Sequence, residues 1–100
     1  MEKFASTYDL KTIKQVFSQS ENLRMTATAL RDARSMGFSM EDVVDAIQQL
    51  KSKDLVKSMT TYHNHRVWQD VYNTEFNGFV IYIKFQLDED GHFIVSFKEK

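Results

Sequence analysis

Apolar positions recur at a helical period through the first half of the chain and alternate at a strand period through the second. Leu10, Ile13, Val16 and Phe17 form one stripe behind Asp9, whose carboxylate can accept from the free N–H groups of a helix start. A first helix is therefore expected from Asp9 through about Ser18. Thr26 opens a second helix running to Met36, with Ala29, Leu30 and Ala33 inward and Arg31 and Arg34 outward. Gly37 stops it, because the residue past a helix end commonly takes a left-handed conformation. In the third, Ser39 caps, Glu41 and Asp42 sit in the first turn where the helix dipole favours anions, and Lys51 and Lys53 fall at the opposite end. Val43, Ile47 and Leu50 make its buried face.

From Leu55 onward β-branched and aromatic residues dominate, broken by His63-Asn64, Asn77-Gly78 and Asp88-Glu89-Asp90-Gly91. These turns predict a meander of four antiparallel strands, at about 55–62, 65–76, 79–87 and 92–98. In the third strand Phe79, Ile81, Ile83, Phe85 and Leu87 share a face, which puts Tyr82, Lys84 and Gln86 on the other. In the last, Phe93, Val95 and Phe97 oppose Ile94, Ser96 and Lys98. If both aromatic faces cover the helices, Tyr82 and Lys98 emerge together on the open side of the sheet. The second strand is less tidy: Val67, Gln69 and Val71 alternate with Arg66, Trp68, Asp70 and Tyr72, and both sets look partly buried. Gln69 there is either a satisfied core amide or a group aimed into a cleft.

Helices followed by strands is the segregated order of an α+β fold, with N-terminal helices packed on a C-terminal antiparallel sheet. One hundred residues, 42% apolar and 27% charged, suit one domain spanning 1–100, and eight phenylalanines can fill much of its core. The chain has no cysteine, which removes disulfides, thiolate nucleophiles and Cys-type zinc sites from consideration and suits a reducing compartment. No apolar run approaches the roughly 20 residues of a membrane span, and the N-terminus lacks a signal-peptide stretch, so the cytoplasm is expected. Thirteen basic against fourteen acidic residues leave a net charge of −1, so any polyanion site has to be a local patch.

Two segments concentrate the candidate chemistry: K-S-M-T-T-Y-H-N-H-R-V-W-Q-D-V-Y from Lys57 to Tyr72 and V-S-F-K-E-K from Val95 to Lys100. Lys57, Gln69 and Lys98 are side chains suited to a phosphodiester. Singly each is weak, since a strand lysine usually protects an edge and a strand tyrosine usually packs. His63 and His65 are of the residue type suited to acid–base work, yet in H-N-H beside a turn a solvated loop is the more frequent outcome. With no third ligand at a recognisable spacing, zinc is disfavoured. His92 is expected at a strand entrance, and the D-E-D run at an exposed hairpin tip too short for a calcium loop.

The chain resembles the MqsR toxins, mRNA interferases of bacterial toxin–antitoxin modules with a RelE-like fold. The resemblance is carried by K-S-M-T-T-Y, W-Q-D-V-Y, the Val80-Tyr82-Lys84 strand and the terminal V-S-F-K-E-K. It covers essentially the whole chain, the helical half by pattern more than by identity, and Asn64 stands where the family often has an acidic residue. The resemblance implies an endoribonuclease that cuts single-stranded mRNA, preferably at GCU or GCA, with neither a metal ion nor the ribosome. It also implies a cognate, MqsA-like antitoxin; any zinc would belong to that partner. The family's functional lysine, glutamine, tyrosine and second lysine fall on Lys57, Gln69, Tyr82 and Lys98.

A metal-free ribonuclease uses the substrate's 2′-hydroxyl as nucleophile, with a base to take its proton and an acid to protonate the departing 5′-oxygen. The expected products are a 2′,3′-cyclic phosphate, or its 3′-phosphate hydrolysis product, and a 5′-hydroxyl end. Lys57 and Lys98 are the candidates for stabilising charge on the phosphoryl oxygens. Tyr82 can orient the phosphate or pass a proton, and Gln69 can offer a donor and an acceptor to phosphate or base. Trp68, Tyr72 and Arg66 are available to stack or clamp nucleotides, although core packing is the commoner fate of such a tryptophan. The competing reading is a non-catalytic α+β module that binds protein or RNA through its sheet.

Overall fold

The computed structural model describes residues 1–100. Three helices, α1 (Leu10–Val16), α2 (Ala27–Ser35) and α3 (Met40–Gln48), precede four long strands, β2 (Leu55–Thr60), β3 (Trp68–Phe76), β4 (Phe79–Leu87) and β5 (Phe93–Glu99). Their order bears out the α+β expectation. A fifth strand, β1 (Glu2–Lys3), corrects the four-stranded meander: it pairs antiparallel with β2, Glu2 opposite Met59 and Lys3 opposite Ser58. The sheet runs β1-β2-β3-β4-β5, antiparallel throughout.

The expected caps are present. Asp9 accepts from the Thr12 N–H, Thr26 from the Ala29 N–H, and Ser39 and Asp42 form a reciprocal capping box. Two helix ends differ from expectation. α1 stops at Val16 rather than Ser18, and Val16 is 40% exposed rather than part of the core stripe. α3 stops at Gln48, so Lys51 and Lys53 lie beyond it, Lys53 within the 3-10 turn Ser52–Asp54. The first two long strands are also shorter than expected, leaving 61–67 as a connection that carries exposed His63 and His65. Asn77 and Gly78 both have positive φ, 49° and 83°, which matches a two-residue turn to the right-handed twist of β3 and β4.

One face of the sheet holds the core. Ile81, Ile83 and Phe85 of β4, Val95 and Phe97 of β5 and Tyr72 of β3 pack against Ile13, Phe17, Ala29, Ala33, Val43, Ile47 and Leu50 from the helical half. The outer edge of β5 is closed by the segment before α2: the Val95 N–H donates to Arg24 O at 2.7 Å and the Thr26 N–H to Val95 O at 3.1 Å. The other face of the sheet carries no helix and is where the candidate residues lie. No helix is long and apolar enough to cross a membrane.

Candidate active site

Strand parity and one bulge place the candidate side chains. On β3 the core face takes Asp70 and Tyr72, so Gln69, Val71 and Asn73 face the open side. On β2, strict alternation would put Leu55 and Lys57 on the same face. Instead Leu55 pairs with Tyr72 and Lys57 with Val71, two residues of advance against one. The intervening Val56 is a bulge, 39% exposed, and it turns Lys57 outward while Leu55 stays against the core.

The open face then reads as rows of Cα partners. Lys57, Val71, Lys84 and Ser96 make one row across β2 to β5. Asn73, Tyr82 and Lys98 make the next, with Tyr82 directly opposite Lys98. On the other side of the Lys57 row stand Met59 and Gln69, then Gln86 and Ile94. Lys57, Tyr82 and Lys98 line one hollow of about 300 Å³, floored by Val71 and shared with Val56, Met59 and Lys84. Gln69 shares the face but does not line that hollow. It is half-buried, and its Nε2 donates to Gln86 Oε1 at 2.6 Å. It is thus neither a core amide nor a group aimed into the hollow, but an outward amide held by a neighbouring amide.

Charge around the hollow is uneven. Lys57 Nζ lies 3.1 Å from Glu2 Oε2, an ion pair with 34% and 52% of the two side chains exposed. Lys98 takes part in no ion pair, and Lys100 Nζ stands 5.9 Å from the centre of the Tyr82 ring. Lys57, Lys84, Lys98 and Lys100 thus gather around Tyr82, and of the four only Lys57 is paired with a carboxylate.

Two residues with no local sequence signal hold this arrangement together. Asp70, fully buried, accepts from the Thr7 N–H with both oxygens, at 2.9 and 3.0 Å, and from the Tyr8 N–H at 2.9 Å. Thr7 Oγ1 and buried Ser58 Oγ share a hydrogen bond of 2.7 Å. This clamp ties the N-terminal segment across the end of the sheet and leaves β1 beside β2, which is how Glu2 reaches Lys57. Trp68 is half-buried, with Lys3 Nζ 4.4 Å from its ring centre and its carbonyl accepting from the Tyr8 hydroxyl at 2.7 Å. Trp68 stands outside the core cluster, so the packing expected of it is not found there; its ring meets the Lys3 ammonium instead. Tyr72, a candidate clamp for nucleotides by sequence, is instead a core residue: it is buried, and burial pushes its phenol up to about 12, helped by the charges of Asp70 and Asp9. Arg66 and both loop histidines are exposed.

A larger hollow of about 810 Å³ lies between α1 and the turn before β2, bordered by Lys11, Lys14 and Lys51 with Asp9. None of the four candidates lines it, and Lys14 Nζ is already engaged, donating to Leu50 O at 2.9 Å. At the β4–β5 tip, Asp88, Asp90 and His92 lie close together, but Asp88 Oδ1 accepts from the Asp90 and His92 N–H groups. Those bonds hold its carboxyl below the usual range and make the cluster the turn's own closure. The open-face hollow is the stronger candidate, because Lys84, Lys98 and the Tyr82 phenol converge there without an ion pair, and Lys57 joins them with one carboxylate partner.

A chain with helices on one side of an antiparallel sheet and lysines gathered around a tyrosine on the other offers an anion a group of cations to meet. Comparison with known proteins gives the family. Residues 5–99 match the family described as "Motility quorum-sensing regulator, toxin of MqsA". Over 100 residues, covering the whole of both chains, the sequence is 36% identical to the mRNA interferase toxin MqsR of Escherichia coli (strain K12). The chain belongs to the MqsR toxin family.

Proposed function

We propose that this chain is a toxin endoribonuclease of one domain that cuts single-stranded mRNA in the cytoplasm, preferring GCU or GCA, without a metal ion or the ribosome. An MqsA-like antitoxin holds it in check. The observation that carries the reading is the convergence of Lys57, Tyr82 and Lys98 on one open-face hollow in a member of this toxin family. Gln69 stands one row away on the same face, placed to meet a nucleotide beside the scissile linkage.

The substrate's 2′-oxygen loses its proton and attacks the adjacent phosphorus, the P–O5′ bond breaks, and the 5′-oxygen takes up a proton. Negative charge builds on the phosphoryl oxygens at the transition state. Ammonium groups fixed before the substrate arrives stabilise that charge more than they stabilise the ground state, which lowers the barrier. Lys57 and Lys98 supply those groups from the two sides of Tyr82, whose hydroxyl orients the phosphate. A cation fixed on a strand does for the phosphoryl oxygens what a metal does elsewhere.

Purified protein incubated with a GCU-containing RNA in EDTA is expected to give discrete fragments with 5′-hydroxyl and 2′,3′-cyclic phosphate ends. RNA left intact at high protein concentration would reduce the chain to a binding module, and cutting only with added divalent metal would reject this mechanism. Co-expression with an MqsA-like protein is expected to give a complex that spares the same RNA.

A further inference from the structure

Lys84 has no part in the reaction just described, yet its position is not that of an ordinary strand lysine. β4 is an interior strand, paired on both sides, so a role in protecting a sheet edge is excluded. The partner of Lys84 on β3 is Val71, and Val71 is also the partner of Lys57. The two lysines therefore share a row with only the buried Val71 between them, about 10 Å apart at their Cα atoms, or two strand spacings. On its own strand Lys84 is two residues from Tyr82, next to the Tyr82–Lys98 pair. It lines the same hollow as Lys57, Tyr82 and Lys98.

The chain has two ion pairs, Lys57 with Glu2 and His92 with Asp88, and neither involves Lys84 or Lys98. Three ammonium groups thus face one hollow with a carboxylate for only one of them. Like charges held together raise the energy of an unoccupied site, and an anion entering between them relieves it. We propose that Lys84 is a third phosphate-contacting cation of this site, gripping the scissile phosphoryl group from the β4 side together with Lys57 and Lys98. This rests on the endoribonuclease reading, and it makes the site a three-cation cradle around one phenol.

The test uses a short single-stranded RNA with one cutting site and its analogue lacking the attacking 2′-hydroxyl. Under single-turnover conditions, Lys84→Ala is expected to cut about 10²-fold more slowly than wild type, the scale of losing one fixed donor to a developing oxyanion. Lys84→Arg is expected to recover part of the rate. Binding of the uncut analogue by Lys84→Ala should show a salt dependence shallower by about 0.7 in slope, as follows when one phosphate fewer is neutralised on a single strand. The thermal midpoint should stay where it is in wild type. If Lys84→Ala does not fold, Lys84→Met, which keeps the stem over Val71, takes its place in both measurements. An unchanged rate and salt slope, with Lys98→Ala inactive, overturns the inference and leaves the endoribonuclease in place. If wild type fails to cut, the parent reading falls, and the salt slope alone decides whether Lys84 grips phosphate.

Discussion

The two faces of the sheet are made from alternate residues of the same strands and obey opposite rules. Toward the helices, Ile81, Ile83, Phe85, Val95 and Phe97 are closed off from water, and the charged side chain buried there, Asp70, has three hydrogen bonds from backbone N–H groups. Toward the open side, one residue along each time, Tyr82, Lys84, Gln86 and Lys98 remain accessible, and of the hollow's three lysines only Lys57 has a carboxylate partner. A charge is tolerated on the first face only when fully satisfied, because burial without partners costs several kcal/mol. On the second face water partly solvates the cations, and their unmet charge is left for a ligand. The alternation separates stability from chemistry with almost no shared residue.

Substitutions on the two faces should therefore fail differently. Phe85→Ala, which empties a fully buried ring site stacked against Phe17 and edge-on to Tyr72, is expected to cost about 3–5 kcal/mol of unfolding free energy in urea titration. Lys98→Ala should leave the urea midpoint in place and slow RNA cleavage by about 10²–10³-fold. If Lys98→Ala unfolds as easily as Phe85→Ala, the separation of the faces is wrong.

How far the sequence reveals this depends on the range of the signal. Period-two alternation on β4 and β5 is local, and it suffices to bring Tyr82 and Lys98 to the same side of the sheet; they are direct partners. Helix caps are equally local, and all three are found where Asp9, Thr26 and Ser39 predict them. What stays hidden depends on distant partners or on broken alternation. β1 is two residues long and shows no period at all. The donors that satisfy Asp70 lie 62 and 63 residues away in sequence, so along the chain its burial reads as untidiness in β3 rather than as a clamp. The Val56 bulge carries no glycine to announce it, yet without it Lys57 would share the face of Leu55. Gln69 belongs to a legible motif, but whether it faces core or cleft is decided by the burial of its neighbours Asp70 and Tyr72 on the opposite face of β3.

Tyr72 tests the closed face more gently. Its buried phenol keeps its proton up to about 12, whereas a tyrosine in the unfolded chain loses it near ~10. The folded state thus binds more protons than the unfolded state across that interval. The stability this group contributes is complete below pH ~10 and is lost as pH rises toward 12, on the order of 2 kcal/mol in all. Urea titrations of wild type and Tyr72→Phe at a series of alkaline pH values are expected to show a flatter decline for the variant. Parallel declines would mean that the phenol is open to water.

The smallest expected effect lies at the boundary between the faces, where Glu2 meets Lys57. Half of the Glu2 side chain is in water, so Glu2→Gln should change the unfolding free energy by less than about 1 kcal/mol. Its consequence for RNA has a definite sign. Glu2 occupies one of the three donors of the Lys57 ammonium and places a negative charge at the rim of the site proposed for phosphate. Removing that charge frees the donor and removes a repulsion, so an uncut RNA analogue should bind Glu2→Gln more tightly at low salt, with the gain fading as salt screens the pair. Weaker binding would instead make Glu2 a strut that aims Lys57, and β1 would then belong to the machinery of the open face.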